Sequence, residues 1–418
     1  MKRILSIAPL LAAVVLAFPV AAQAPAAPPA ATPGFDFSGV AFGSFNMRTD
    51  SAAKAALGGQ SPNQFGIDRV YLTFRMPAGD NGSIRVTTDI SQNTNAATNG
   101  FYQGWFVRLK YAYFQYTGLK DAFGPGSSLA GRVGSLHTVV IDHEEGFWPR
   151  YLQQTAIERG GAATAGGFFS SADLGVAGLL TLGNKMGEVY GTITNGPGYT
   201  SYEKDRFKDF SLRLSLTPLA GNASMNGFVK SLTISPWFYL GKVGSAFQAG
   251  GAGQVGPGTN GAITDGLTRN RYGVFGGIKD RRLTGGVEYA QRKDQSEAGA
   301  NTAVAPVVVT DSTGRLIDGF VIARPLEWMD ATKKSGLALI ARYDQFTPNT
   351  GPTSVNYAGT TPSYSYTVFG LSYDLTQKIT LALDWQTQNP SGFPPAGGTN
   401  VKPVPKQSTV FLHWQANF

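Results

Sequence analysis

The chain has no cysteine and only three histidines, His137, His143 and His413. The first absence removes disulfide bridges and thiolate metal centres. The second leaves no histidine pair at metal-ligand spacing. Charge is also scarce: only 15% of the 418 residues are Asp, Glu, Lys or Arg, with a formal net charge of +8. That balance is mild, and no basic run or RNA-binding motif accompanies it, so nucleic acid is not an expected partner. Long apolar runs are missing as well. Beyond the N-terminal stretch none reaches the ~20 residues of a spanning helix.

The N-terminal stretch itself has the layout of an export signal. Met1-Lys2-Arg3 is basic, Ile4 to Val20 is apolar but broken by Ser6, Pro9 and Pro19, and Val20-Ala21-Ala22 offers small residues for cleavage. Residues 1–22 are therefore expected to be a cleaved signal peptide. Its removal takes away Lys2 and Arg3 and no acid, so the net charge of +8 falls to +6. Residues 23–34 (QAPAAPPAATPG) follow as an Ala/Pro-rich linker with nothing to bury.

What the chain does have is glycine and aromatics: 53 glycines, and 12% Phe, Trp and Tyr. This composition suits strands and turns, not helices. From Phe35 onward the periodicity is two. Val70, Leu72, Phe74 and Met76 share one face against Arg69, Tyr71, Thr73 and Arg75. Ile379, Leu381, Leu383 and Trp385 repeat the pattern against Thr380, Ala382, Asp384 and Gln386. Inside lipid only helices or a closed barrel satisfy every backbone group. An exported membrane protein without helices must be a barrel.

Sixteen strands are predicted, near 35–47, 65–77, 83–91, 104–117, 129–140, 172–182, 188–195, 209–217, 231–240, 270–279, 283–292, 318–325, 335–346, 365–375, 379–388 and 407–418. Eighteen is the alternative count, because 129–140 is apolar on both faces and 231–240 contains Pro236. Tight turns such as Ala78-Gly79-Asp80-Asn81-Gly82 alternate with long polar loops, the arrangement of an all-β transmembrane antiparallel barrel with short periplasmic turns and long extracellular loops. Residues 35–418 are read as this barrel, with an inward-folding loop at about 141–171.

The last strand ends on an aromatic. Val410, Leu412, Trp414, Ala416 and Phe418 form one face, and this resembles the closing strand that barrel-assembly machinery recognises in outer-membrane proteins. Trp414 and Phe418 are the candidate assembly signal. A wider resemblance covers Phe65 to about Glu203. Asp68-Arg69-Val70-Tyr71-Leu72-Thr73-Phe74, Leu109-Lys110-Tyr111-Ala112-Tyr113-Phe114-Gln115-Tyr116, Gly131-Arg132-Val133-Gly134, Glu144-Glu145-Gly146-Phe147-Trp148-Pro149-Arg150-Tyr151 and Ser170-Ser171-Ala172-Asp173-Leu174-Gly175-Val176 carry it. Together they resemble the phosphate-selective porin O/P family and its general-porin relatives, with a looser match at Ala341-Arg342-Tyr343-Asp344. The resemblance implies a sixteen-stranded homotrimeric porin whose third loop narrows the pore. Two departures stand out: Val139-Val140 replaces an expected Pro-aromatic pair, and the loop at 241–269 carries only Lys242 and Arg269, so it lacks a phosphate-capturing lysine cluster.

If the apolar faces meet lipid, the other faces meet water. That places Arg69, Arg75, Arg85, Arg108, Lys110, Arg132, Arg213, Arg271, Lys279, Arg292 and Arg342 on the lumen with Asp89, Asp173, Glu288, Asp344, Asp374 and Asp384. An excess of basic residues favours anions, although the same arginines also serve as ion-pair partners for the wall acids. The loop at 141–171 brings Asp142, Glu144, Glu145, Arg150, Glu158 and Arg159 as candidate constriction charges, or else forms an external cap. Its acids at 142–145 read as a solvated cluster before a cation site. Gly251-Ala252-Gly253-Gln254-Val255-Gly256 matches a dinucleotide fingerprint without its strand-turn-helix setting, so no cofactor is expected.

The functional expectation is a non-enzymatic porin in the outer membrane of a Gram-negative-type bacterium. It would sit among outer-membrane lipid and lipopolysaccharide and pass small anionic or polar solutes. A channel selective for phosphate-like or carboxylated anions is the alternative. An outer-membrane enzyme, which would need His137 or His413 beside a serine, and a structural or adhesin barrel are the remaining readings.

Overall fold

The structure, a computed structural model, describes residues 34–93, 104–159, 167–203, 205–222, 224–225, 227–244, 266–298, 308–330, 334–347, 363–391 and 406–418. The leader at 1–22, the linker except for Gly34, and the Gly251–Gly256 stretch lie outside the described residues.

Alternation along the chain produces sixteen antiparallel strands, and they close into one barrel. The strands are β1 (Asp36–Arg48), β2 (Asn63–Pro77), β3 (Gly82–Asn93), β4 (Gly104–Gly118), β5 (Ser128–His137), β6 (Ala172–Leu182), β7 (Gly187–Thr194) and β8 (Asp209–Leu216). They continue as β9 (Thr233–Val243), β10 (Leu267–Lys279), β11 (Leu283–Ala298), β12 (Val308–Ala323), β13 (Leu337–Thr347), β14 (Ser363–Asp374), β15 (Ile379–Ser391) and β16 (Gln407–Asn417). Each strand pairs with its chain neighbours, and β1 pairs with β16. The eighteen-strand alternative is therefore set aside.

Closure rests on the chain end. Gly39 N–H donates to the Phe418 carbonyl at 2.8 Å and Phe418 N–H returns to the Gly39 carbonyl at 3.0 Å. The Phe418 ring lies where a Cβ on residue 39 would stand, at 2.3 Å, so any larger residue there must displace the ring. Tight turns join β2 to β3, β10 to β11 and β14 to β15, with Ala78 N–H donating to the Gly82 carbonyl at 2.9 Å and Asp280 N–H to that of Leu283 at 2.9 Å. These turns share one rim of the barrel with the longer connections 217–232 and 324–336, and the connections that follow the odd-numbered strands lie at the other end.

The side-chain alternation divides the wall. On β14 and β15, Phe369, Leu371, Tyr373, Leu381, Leu383 and Trp385 are exposed outward. Tyr364, Tyr366, Val368, Ala382, Asp384 and Gln386 are buried inside. On β9 the outward residue Pro236 interrupts the ladder to β8: pairing is recorded from Phe210–Leu240 to Arg213–Trp237 and resumes only at Leu216–Ile234. Proline has no N–H to donate. Inside the barrel Ser235 and Ser215 bridge the gap through their hydroxyls at 3.0 Å.

Several strand boundaries differ from expectation, and β11 runs on to Ala298, six residues past the predicted 292. β12 starts at Val308, ten residues before the predicted 318, and pairs with β11 out to Ala298. That extension carries Asp311, Thr313, Gly314 and Arg315, so it lacks the apolar alternation by which the rest was read. β5 ends at His137 and not at 140, because Val139 and Val140 leave the wall and are buried.

Candidate functional site

The segment between β5 and β6 runs through the barrel. Its described residues include two single-turn helices, α1 (Ile141–Glu144) and α2 (Ala156–Arg159), and its base is pinched where Thr138 Oγ1 donates to the Ser170 carbonyl at 2.7 Å. Its far reach is fixed by wall side chains. Arg342 Nη1 of β13 donates to the Gln154 carbonyl at 2.7 Å, Gln386 Nε2 of β15 to that of Leu152 at 3.0 Å, and Arg159 Nη2 to Gln388 Oε1 at 2.7 Å. Gln153 Nε2 donates to the Tyr366 hydroxyl of β14 at 3.2 Å, and His143 Nε2 meets Ser235 Oγ of β9 at 2.9 Å. Arg213 of β8 and Lys279 of β10 donate to the carbonyls of Val139 and Gly146. In a closed barrel only the interior touches all these strands.

Apolar burial holds the segment there. Val139, Val140, Ile141, Trp148, Leu152, Ile157 and Phe168 are nearly or fully buried against the inner wall, and each contributes roughly 1.5–3 kcal/mol. Trp148 lies edge-on to Phe320 and beneath the Arg342 guanidinium, at 5.3 and 4.8 Å between centres.

The basic residues read from the sequence fall into two groups. On β2 to β5, Arg69 pairs with Asp89 at 3.2 Å, and Arg85 bonds Thr87 and His137 at 3.1 and 2.9 Å. Arg132 Nε donates to Gln115 at 2.8 Å, Arg108 stacks on Phe106 at 4.3 Å, and Lys110 Nζ sits over the Tyr71 ring at 4.5 Å. Arg75 stands at the short-turn rim with Asp36, at 3.3 Å. The second group lies under the segment. Arg213 pairs with Glu188, Arg271 with Asp294 at 3.1 Å, and Arg342 with Asp344 at 2.7 Å. These three and Lys110 are only 3–6% exposed, so the inward face is not uniformly wet.

The segment's own charges are similarly divided. Asp142 reaches His137 Nδ1 at 3.1 Å, and Arg150 bridges Glu145 and Glu158, meeting the latter through Nη2–Oε1 at 2.9 Å. Burial pushes the Glu158 carboxyl up, but the Arg150 charge outweighs it and holds the group below the usual carboxylate range. Arg159 lies flat on the Tyr366 ring at 3.4 Å. Glu144 instead points into the wall, where Glu288 and Asp318 are also buried and Trp237 Nε1 donates to Glu288 at 3.1 Å. Burial, then the Asp318 charge, push the Glu144 carboxyl up to about 8. Burial and the nearby Arg213 charge push His143 down to about 3. Trp414 and Phe418 face outward on the closing strand, away from these groups.

Sequence reasoning set Tyr71 on the inner face with Arg69 but missed the rest of the aromatic lining: Tyr111, Tyr113, Tyr190, Tyr239, Tyr364 and Tyr366 also point inward and are buried. For Tyr190 a signal existed in its spacing, two residues from Glu188 and two from Thr192. For Tyr111 and Tyr113 it did not. Strict alternation through Arg108 and Lys110 turns them outward, but a bulge between the β3 partners Thr87 and Thr88 skips Lys110. Lys110 and Tyr111 then share the inner face.

No family model and no curated protein matches the chain by sequence. Solved structures match over nearly its whole length. DcaP, an outer-membrane channel of Acinetobacter baumannii, aligns with a TM-score of 0.60 at 11% identity, covering 93% of this chain and 98% of that one. Pseudomonas putida OprB aligns with a TM-score of 0.58 at 11% identity, over 92% and 94% of the two chains. Salmonella typhi OmpF, solved with daunomycin, aligns with a TM-score of 0.55 at 13% identity, over 91% and 97%. At such identities the likeness is one of fold: the chain, a closed sixteen-stranded barrel, has the fold of an outer-membrane β-barrel.

Proposed function

We propose that the protein is an outer-membrane porin through which small hydrophilic solutes diffuse passively, with a preference for anions. One observation carries the reading: a segment held across the barrel interior faces a wall sector bearing Arg69, Arg85, Arg108, Lys110 and Arg132. On the segment, Glu145 and Glu158 share Arg150, which leaves one negative charge there, whereas among the described residues the five basic wall groups are offset only by Asp89. The field across the remaining gap is then set by the wall, and a positive wall admits anions more readily than cations.

In this reading residues 1–22 are a cleaved signal peptide, the short-turn rim faces the periplasm and the long loops face outward. Phe418 and Trp414 serve recognition by the assembly machinery, the outer face meets lipid and lipopolysaccharide, and three copies associate. The test is a planar bilayer with purified protein in a salt gradient. A reversal potential of anionic sign is expected, growing as ionic strength falls because salt screens the wall. A cationic sign overturns the preference, and no conductance overturns the porin.

A second reading has its own support. Lys110 and Tyr71 are 3% and 9% exposed, packed close to Arg150 and Glu145, so the gap is tight. A tight, aromatic-lined gap favours a channel selective for phosphate-like or carboxylated anions. Saturation of conductance with such an anion separates it from free diffusion.

A further inference from the structure

A cavity of about 400 Å³ lies on the short-turn side of the segment, between residues 138–147 and the wall of β3 to β8 and β10. It is of the size that holds small organic ligands, ~300–1,000 Å³. Its charge does not cancel. Arg213 is tied to Glu188 and Asp142 to His137. Among the described residues Arg85, Arg132 and Lys279 bond only neutral groups, namely Thr87 and His137, Gln115, and the Gly146 carbonyl. Against Asp142 and Glu188, the four cations Arg85, Arg132, Arg213 and Lys279 leave an excess of two positive charges on the cavity lining.

Flat rings line the same space. The Arg132 guanidinium stands between Tyr113 and Tyr190, at 5.2 and 5.4 Å from their centres. Phe147 closes the segment side, held edge-on by Phe275 at 5.1 Å and His143 at 5.6 Å and still half-exposed toward the cavity. A guanidinium stacked on rings keeps its in-plane N–H edge for a carboxylate. The face that Phe147 leaves open favours a second ring. Inorganic anions use only the first of these features.

We propose that this cavity is a binding subsite for a small aromatic carboxylate. The carboxylate lies against Arg85, Arg132 and Lys279, and the ring lies between Phe147 and the Tyr113–Tyr190 wall. This names a solute class for the porin reading and rests on it for transport, but the site itself can be tested separately. Titration calorimetry on detergent-folded protein measures benzoate, acetate and inorganic phosphate in turn.

Benzoate is expected to bind at least about tenfold more tightly than acetate or phosphate, a difference of about 1.4 kcal/mol. Arg132→Gln should weaken all three anions, whereas Phe147→Ala should weaken benzoate alone and bring it close to acetate. Heat-modifiable migration of both variants checks that the barrel has formed, and Arg85→Gln replaces Arg132→Gln if that variant does not fold. Equal binding of benzoate and acetate, tighter phosphate, or unchanged benzoate affinity in the arginine variant overturns the proposal. Bilayer recording reports on the other reading. A conducting channel whose current benzoate never interrupts from the short-turn side also overturns the subsite, whereas calorimetric binding without any conductance retains the subsite and rejects the porin.

Discussion

Arg342 and Asp344, two residues apart on one strand, form a two-pronged ion pair with both N–O distances at 2.7 Å, and the third guanidinium nitrogen holds the Gln154 carbonyl. The spacing of two puts both side chains on the inner face, and the pair is almost wholly buried. One arginine thus neutralises a wall acid and ties the central segment to β13.

Arg342→Ala leaves Asp344 buried and unpaired, at a cost of roughly 3–5 kcal/mol. It also frees the segment around Gln154. The expected outcome is a lower melting temperature and a noisier, larger single-channel current. Unchanged current would mean that the other anchors suffice without Arg342.

The closing strand should be sensitive from both sides. Phe418→Ala removes the ring over Gly39, and Gly39→Val drives a side chain into that ring. Both should leave the protein exported but poorly inserted. Heat-modifiable barrel in outer-membrane fractions measures this, and wild-type amounts in both variants would contradict it.

Parity gives a contrast on the wall. Val287 is 64% exposed on the outer face of β11, so Val287→Arg should cost about 2–4 kcal/mol near mid-membrane. Arg75→Ser at the wet rim should change stability by no more than about 0.5 kcal/mol. Thr73→Arg, a harmless change if the inner face were all water, should also destabilise, because Thr73 is buried against Thr87 at 3.0 Å. Denaturant titration of the folded barrel ranks the three.

Selectivity should follow the β2–β4 arginines. Replacing Arg75, Arg85 and Arg108 with Ser removes three wall charges that belong to no buried carboxylate pair. The reversal potential should move toward cation permeation without loss of conductance. No shift would assign the field to the segment and not to the wall.

Glu144 supplies a pH dependence. Its carboxyl is pushed up to about 8 from the ordinary 4.5, so the folded state holds a proton that the unfolded chain has lost between those values. The stability tied to this proton is fully present below the unfolded value and disappears as pH rises through about 8. The Asp318 charge faces the same group, so charging Glu144 adds repulsion there, which the hydrogen bond with Glu288 only partly offsets. Melting temperature should fall from pH 5 to pH 9, and Glu144→Gln should flatten the slope. An equal slope in both proteins would locate the titration elsewhere.

The barrel was legible in the chain because alternation is local. A residue and its second neighbour share a face whatever lies across the sheet, so Leu381, Leu383 and Trp385 announce lipid and Asp384 and Gln386 announce the interior without any tertiary information. Turn residues such as Gly79 and a terminal Phe418 likewise mark strand ends and the point of closure. Long-range contacts decided what local pattern does not contain. The bulge at Lys110 depends on the register of β3 against β4, and it turned two tyrosines inward that strict alternation would place outside. The segment after His137 reads as polar and charged. Its position follows from Arg342, Gln386 and Tyr366 reaching it from strands some two hundred residues away, together with a run of apolar side chains that had no other surface to cover. Which arginines end dry beneath it and which remain wet beside it is set by that packing, and a one-dimensional pattern carries no record of depth.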